Sequence, residues 1–329
     1  MMRYGLSIIW LLVGGVLWAQ TLRVVSYNVE NLFHPKHDSI AIIHHDSIGG
    51  DTLWVEKDDY EWTPEGERRW SYSRYYGKLH HVAKVLTHIG QWDGVDIVGL
   101  CEIENGLVVK QLCNKLRYKA YDYIHYESPD KRGIDVAMIY KKSRVEPLLT
   151  QALPVYLDEN TTTRDILYAC CRIDRCDTVH LFICHMPSMR GGATESQWKR
   201  DAAKQVLQHA VDSVLALHPV AKIIVMGDMN CGPTDDIVGL HNRMMSLAQQ
   251  GKGTHKWQGQ WTCLDQFYTS TTLDSVSDVR IYDAEMIMEE DRKYMGLKPK
   301  RTFAGFRYQN GYSDHLPIVM DVKMQQIAK

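Results

Sequence analysis

Residues 222–230 read KIIVMGDMN, an apolar run (Ile223, Ile224, Val225, Met226) that stops at Gly227, Asp228 and Asn230. A short continuous apolar stretch closed by turn-forming and polar residues reads as a strand buried on both faces. The same pattern recurs in LRVVSYNV (22–29), DIVGLCEIEN (96–105), DVAMIYKK (135–142), VHLFICHMPS (179–188), WTCLDQFYTS (261–270) and DHLPIVMDV (314–322). Between these runs lie helical patterns. Leu79, Val82, Ala83, Val85, Leu86 and Ile89 have helical spacing over 71–89, and further helices are expected over 106–116 and 197–217. Buried strands interleaved with amphipathic helices predict an α/β or α+β fold. No linker, repeat or low-complexity tract divides the chain, so one large domain over 20–329 is expected, with a polar, aromatic insertion at about 34–70.

The 329 residues carry a net charge of −2, with 45% hydrophobic and 24% charged side chains, which excludes disordered, collagen-like and polytopic membrane classes. Near-neutral charge excludes a uniformly basic nucleic-acid coat and leaves a local basic groove open. Residues 1–19 combine a basic start (Arg3), an apolar run from Leu6 to Trp18 and a small residue, Ala19. The run falls short of a ~20-residue membrane span and reads as a signal peptide for export, with an uncleaved anchor or a buried first helix as alternatives; export would place the protein outside the cell or in the periplasm. Export would put the eight cysteines where they can pair. No Cys-x-x-Cys pair with zinc spacing is present.

The residues that close the apolar runs carry the chemical message: Asn28, Glu102, His185, Asp228 with Asn230, Asp265, and Asp314 with His315. One polar strand ending is ordinary turn chemistry; six are not explained that way. Oxygen donors without a thiolate cluster suit a hard divalent cation, Mg²⁺ with Mn²⁺ or Ca²⁺ as alternatives. Two histidines with acidic partners can move protons near neutral pH. A cation, imidazoles and amides together suit a negatively charged phosphoryl centre. No GxxxxGK[ST] loop and no GxSxG elbow occurs, which argues against ATP-driven transfer and serine acyl hydrolysis. His34, His37, His44 and His45 fit no fixed coordination spacing, so the insertion is expected to be a solvated loop. Its aromatics (Trp54, Tyr60, Trp62, and nearby Trp70, Tyr72, Tyr75 and Tyr76) are expected to pack over the following helix, with base stacking or lipid insertion as alternatives.

SYNVENLF, CEIEN, GDMN and SDHLPI, in that order, resemble the endonuclease/exonuclease/phosphatase superfamily over about residues 22–322. The resemblance implies a four-layer α/β sandwich, two mixed β-sheets packed face to face with helices outside and the site at one rim. It implies that Glu102 is the principal metal ligand, Asn28 lies beside it, and Asp314 supports it or serves a second metal. Asp228 would orient or deprotonate the attacking water, and Asn230 would hold a phosphate oxygen. His315 would face the phosphate, oriented by Asp265, with His185 opposite. In DKRGIDVAMIY, Arg132 would contact phosphate and Asp135 would orient His185; for Asp135 plain solvent exposure is the alternative. Ser188 and Arg190, in PSMRGG, are candidates to touch substrate or to form a plain turn. VMGDMN and CLDQF depart from the pattern of the inositol phosphatases. Deoxyribonuclease I has cysteines placed like Cys231 and Cys263, so these two are expected either to form a disulfide or to be buried free thiols.

The expectation is therefore an exported, divalent-metal-dependent phosphodiesterase, endonuclease-like, acting on nucleic acid or another phosphodiester, with no obligate protein partner evident. One alternative is a phospholipid or sphingomyelin phosphodiesterase acting on membrane lipid, whose mark would be an exposed apolar hairpin; the sequence shows no convincing one. The other is a catalytically dead binding protein, which should have lost some of these positions.

Overall fold

The structure, a computed structural model, describes residues 21–37, 40–44, 52–116, 119–158, 161–234, 237–273 and 275–324. The continuous apolar runs form strands buried on both faces, because each sheet is covered by the other sheet on one side and by helices on the other. One sheet consists of β1 (Thr21–Leu32), β2 (Ile97–Ile103), β3 (Tyr121–His125), β4 (Asp135–Lys141), β11 (Val276–Ile281) and β12 (Ile318–Lys323), in the order β11-β12-β1-β2-β4-β3. The other consists of β5 (Val145–Leu153), β6 (Ile166–Ile173), β7 (Asp177–His185), β8 (Lys222–Asp228), β9 (Leu240–Asn242) and β10 (Asp265–Ser270), in the order β9-β10-β8-β7-β6-β5. Each sheet is mixed: β1 and β2 run parallel in the first, β7 and β8 in the second, and the remaining neighbours are antiparallel.

Val24, Ile97 and Met138 of the first sheet meet Leu181, Ile183, Ile224, Met226 and Phe267 of the second, forming the inner core. Helix α1 (Tyr72–Gly90) and helix α2 (Gly106–Leu116) cover the outer face of the first sheet, packing Leu79, Val82, Leu86, Val108 and Leu112 with Tyr27, Val98 and Leu100. Ser71 caps α1 by accepting the Arg74 amide at 3.4 Å. Helix α3 (Gln197–Leu217) covers the second sheet with Ala203, Leu207 and Val211 against Phe182, Ile223 and Val225. This is the expected four-layer α/β sandwich, and the three helices fall where their periodicity placed them.

The insertion is more ordered than a solvated loop. Residues 40–44 and 52–56 pair as a hairpin. Trp62 stacks on Phe33 at 4.9 Å, and Phe303 packs against both Trp62 and Trp70 at 5.6 and 5.8 Å, so these aromatics serve packing. His34 lies edge-on to Tyr72 and Tyr75, and His37 pairs with Asp59. The leader at 1–19, His45, and the side chains of His44 and Trp54 lie outside the described residues. Among those residues, no helix is long and apolar enough to cross a membrane.

Candidate active site

Strand order brings the polar strand endings together. The parallel strands β1 and β2 end at the same rim, with Asn28 opposite Cys101, the residue before Glu102. In the second sheet β7 and β8 end together with His185 opposite Asp228. The antiparallel neighbours begin where these strands end: Asp265 opens β10 opposite Asp228, and Asp135 opens β4 opposite Ile103. The turn before β12 lies beside the end of β1, where the Ser313 hydroxyl donates to the Asn28 carbonyl at 2.7 Å. Gly227 permits the close approach of β8 to β7. Its φ is +143°, and a Cβ there would lie 1.8 Å from the Cys184 carbonyl oxygen.

Several rim residues adopt left-handed backbone: Glu30 (+53°), Asn31 (+54°), Glu102 (+65°) and Asn230 (+50°). Glu30, Asn31 and Glu102 fall where the β1–β2 and β2–β4 ladders shift register, and Asn230 follows the end of β8. The Asn31 amide donates to Glu102 Oε2 at 2.9 Å, and Asn28 Oδ1 accepts the Glu30 amide at 3.0 Å.

Asp228 is the hub. Its Oδ1 accepts the Asn230 amide at 2.9 Å, and its Oδ2 accepts Asn28 Nδ2 at 3.0 Å. The Nε2 atoms of His185 and His315 lie 3.6 and 3.8 Å from the same Oδ2. Burial pushes the Asp228 carboxyl up to about 6, opposed by His315 and reinforced by Asp265. The two imidazoles are driven apart. Burial works against charge on His315, but the carboxylates of Asp265 (2.7 Å from its Nδ1) and Asp228 outweigh it and hold the ring well above the usual histidine range. Burial, with the charges of Arg164, Arg132 and His315, holds His185 well below that range. One ring therefore carries a proton near neutral pH and the other does not.

The remaining candidates are placed as follows. Arg132 brings its guanidinium 3.8 Å from Glu102 Oε1 and 3.4 Å from Asn31 Oδ1. Asn230 donates its amide nitrogen to the Met186 carbonyl at 2.9 Å. Asp314 pairs with Arg301 at 2.9 Å. Asp135 does not orient His185. One oxygen accepts the backbone amide and hydroxyl of Ser128, the other lies 3.2 Å from His125 Nε2, and His185 Nδ1 has no hydrogen-bond partner among the described residues. The solvent-facing alternative fails too, because Asp135 is buried. The Cys231–Cys263 bridge is not formed: Cys263 is a buried free thiol 3.5 Å from the Asp265 carbonyl, pushed up to about 12 by burial and Asp265.

The donors at the rim fit a hard cation. Glu102 Oε1 makes no hydrogen bond among the described residues, and the Asn28 amide lies on the adjoining strand end, with no thiolate ligand beside them. A second, tighter group of ligand-type side chains lies apart from these: His125, Glu127 and Asp135, with ligand atoms within 4.8 Å of one another. There the Lys57 ammonium already balances Glu127 at 2.9 Å.

Sequence reading missed three contributors. Buried Arg164 holds the carbonyls of His185 (3.1 Å) and Met186 (2.9 Å) and pairs with Asp130 at 2.7 Å. Glu30, inside SYNVENLF, accepts the amides of Thr302 and Phe303 and so ties β1 to the loop leading to His315. The His255 ring lies 4.9 Å from that of His315 and is pushed down to about 4 by burial and by His315. Glu30 sits in a quoted motif and was within reach; Arg164 and His255 follow no apolar run.

Comparison with known proteins agrees with this architecture. A profile described as the Endonuclease/Exonuclease/phosphatase family matches residues 23–324. Among solved structures, truncated TDP2 of Caenorhabditis elegans is 16% identical, with 94% of this chain and 100% of that one covered and a TM-score of 0.57. An endonuclease/exonuclease/phosphatase of Bacteroides vulgatus is 12% identical over 93% and 100% (TM-score 0.55). The mannosyl-6-phosphatase of Bacteroides thetaiotaomicron is 14% identical over 91% and 98% (TM-score 0.53). Among curated proteins, none matches the sequence. A profile match across nearly the whole described chain, on this sandwich and these strand endings, shows that the chain belongs to the endonuclease/exonuclease/phosphatase family, whose members hydrolyse phosphoric esters.

Proposed function

We propose that the protein is an exported, divalent-metal-dependent phosphodiesterase with endonuclease-like action. The observation that carries this reading is the pair of imidazoles 3.6 and 3.8 Å from one Asp228 oxygen, one held charged and the other neutral. Asp228, with a carboxyl raised toward neutrality, takes the proton of the attacking water. His315 keeps its proton through neutral pH and delivers it to the leaving oxygen, with Asp265 fixing its ring. His185 stays neutral and steadies Asp228 and the phosphate, and Arg132 offers a guanidinium to the phosphate. Glu102 and Asn28 would hold Mg²⁺, with Asp314 behind them; when bound, the cation supplies charge neutralisation at the phosphate. Export rests on the basic start and apolar run of residues 1–19.

A second reading has support of its own. Contrary to the sequence expectation, apolar side chains protrude near the rim: Trp257, Met295 and Leu297 are 64%, 77% and 56% exposed. Trp257 belongs to the hairpin that carries His255, and Lys256 joins it to the carbonyls of Met295 and Leu297 at 2.7 and 3.2 Å. Such a lip suits a lipid surface and favours a phospholipid or sphingomyelin phosphodiesterase as the alternative.

The purified protein should be assayed with Mg²⁺ against plasmid DNA, RNA, sphingomyelin vesicles and bis(p-nitrophenyl) phosphate. Cleavage of nucleic acid that stops with EDTA is expected. Cleavage of sphingomyelin alone would replace the first reading with the second, and no turnover of any diester would refute both.

A further inference from the structure

Beside the rim lies a recess of about 340 Å³, lined by residues 130–132, 157, 161–164, 187, 188, 190, 196 and 199. Five cations line it: Lys131, Arg132, Arg164, Arg190 and Lys199. Asp130 is the one acid among the lining residues, and it is already paired with Arg164 at 2.7 Å. Lys131, Arg190 and Lys199 have no carboxylate within ion-pair distance among the described residues. Their charge is therefore uncompensated.

The backbone adds to it. Helix α3 starts at this wall: its N-cap residue, Ser196, lines the recess and donates its hydroxyl to the Gly192 carbonyl instead of capping the helix. No acidic residue occupies the first turn of this 21-residue helix; Glu195, just before the N-cap, is the nearest carboxylate in sequence and lies against Gly192. Thr163, also at the wall, is buried with a hydroxyl that has no hydrogen-bond partner among the described residues. Uncompensated cations, a helix N-terminus and a spare hydroxyl in one concavity call for an anion.

The recess is continuous with the catalytic rim. Arg132 belongs to both, lining the recess while its guanidinium stands 3.8 Å from Glu102. Pro187 and Ser188 lie two and three residues after His185, and Arg164, a wall residue, grips the His185 carbonyl. An anion held here is thus close enough to belong to the same substrate molecule. Sphingomyelin or a simple glycerophospholipid such as phosphatidylcholine carries a single phosphate and would leave the recess without its anion, whereas a nucleic-acid strand offers a phosphate at every residue.

We propose that this recess binds the phosphate next to the scissile one in an oligonucleotide, so that the enzyme selects substrates by a second phosphate. The proposal rests on the phosphodiesterase reading for its scissile position and goes beyond it in naming the neighbour.

The test uses thymidine dinucleotides with no terminal phosphate, a 5′-phosphate or a 3′-phosphate, with affinities measured by calorimetry in EDTA so that turnover plays no part. One phosphorylated form should bind at least ~10-fold more tightly than the unphosphorylated one, and the advantage should weaken with salt. In the Arg190→Gln/Lys199→Gln double variant, which alters two polar loop and helix-start positions, the advantage should fall below ~3-fold. Absence of any advantage from either phosphate, or its survival in the double variant, would overturn the proposal. Turnover of bis(p-nitrophenyl) phosphate by the same preparation with Mg²⁺ judges the catalytic reading separately. Turnover without a phosphate advantage leaves the enzyme and removes the subsite; the advantage without turnover keeps the anion site and removes the catalytic reading.

Discussion

Replacing Asp265 with Asn takes away a charge and keeps a shape. Asp265 is fully buried, and its Oδ2 lies 2.7 Å from His315 Nδ1. An Asn carbonyl can still accept from that nitrogen, so the ring should stay in place. A hydrogen bond to an ionised partner contributes ~1.5–3 kcal/mol against ~1 for a neutral pair, so His315 should hold its proton less tightly by roughly 1–2 kcal/mol. That moves its titration down by about one pH unit. The sign follows from its raised value: a ring held above the usual histidine range is charged below that raised value and loses its charge as pH climbs through it. The basic limb of kcat against pH should therefore move about one unit lower in the variant. At a pH on that basic limb an oligonucleotide, whose leaving alkoxide needs a proton, should lose up to ~10-fold in kcat. Bis(p-nitrophenyl) phosphate, whose leaving phenolate needs none, should lose no more than a few-fold. An unmoved basic limb, or equal losses on the two substrates, would refute the role given to His315.

Three further outcomes are expected. Glu102→Gln should lower activity by ~10²-fold at limiting Mg²⁺ and recover part of it as Mg²⁺ is raised; the same loss at every Mg²⁺ concentration would count against Glu102 as the ligand. Gly227→Ala should destabilise the protein by ~3 kcal/mol or more in urea melts, because a left-handed φ and a 1.8 Å contact with the Cys184 carbonyl must both be relieved. Buried Asp165 is pushed up to about 7 by burial, opposed by the Val155 amide and reinforced by Asp135, so its contribution to stability should be full below about pH 4 and be lost as pH rises through 7. Asp165→Asn should flatten that slope and raise stability at pH 8 by about 2–4 kcal/mol, measured from unfolding midpoints at pH 5 and pH 8.

What the sequence disclosed and what it hid divide along sequence distance. Apolar runs and their polar endings are local, so KIIVMGDMN announces both a buried strand and the acid at its end. Helices α1, α2 and α3 announce themselves by spacing in the same way. The partners of those endings are not local. Glu30 reaches Thr302 across 272 positions, and Arg164 reaches the His185 carbonyl from a segment with no periodic signal. Asp135 illustrates the limit: its position at the rim followed from its strand, but its partner did not, because Ser128 and His125 on the neighbouring edge claim both of its oxygens. The insertion was misjudged for a related reason. Its polar composition is real, yet Trp62 and Trp70 find Phe33 and Phe303, and no local pattern foretells that contact.

The two sheets explain why separate strand endings make one site. Each is built around a single parallel pair, β1 with β2 and β7 with β8, flanked by antiparallel strands. A parallel pair ends at one rim, and its antiparallel neighbours must start there, so every polar ending or beginning is delivered to the same edge of its sheet. Packing the sheets face to face then brings Asn28 of one within 3.0 Å of Asp228 of the other. The left-handed residues Glu30, Asn31, Glu102 and Asn230 cluster at this edge, where each strained conformation costs ~1–3 kcal/mol. They persist because the strands behind them are buried on both faces, and the same burial that tolerates the strain holds the two imidazoles in opposite charge states.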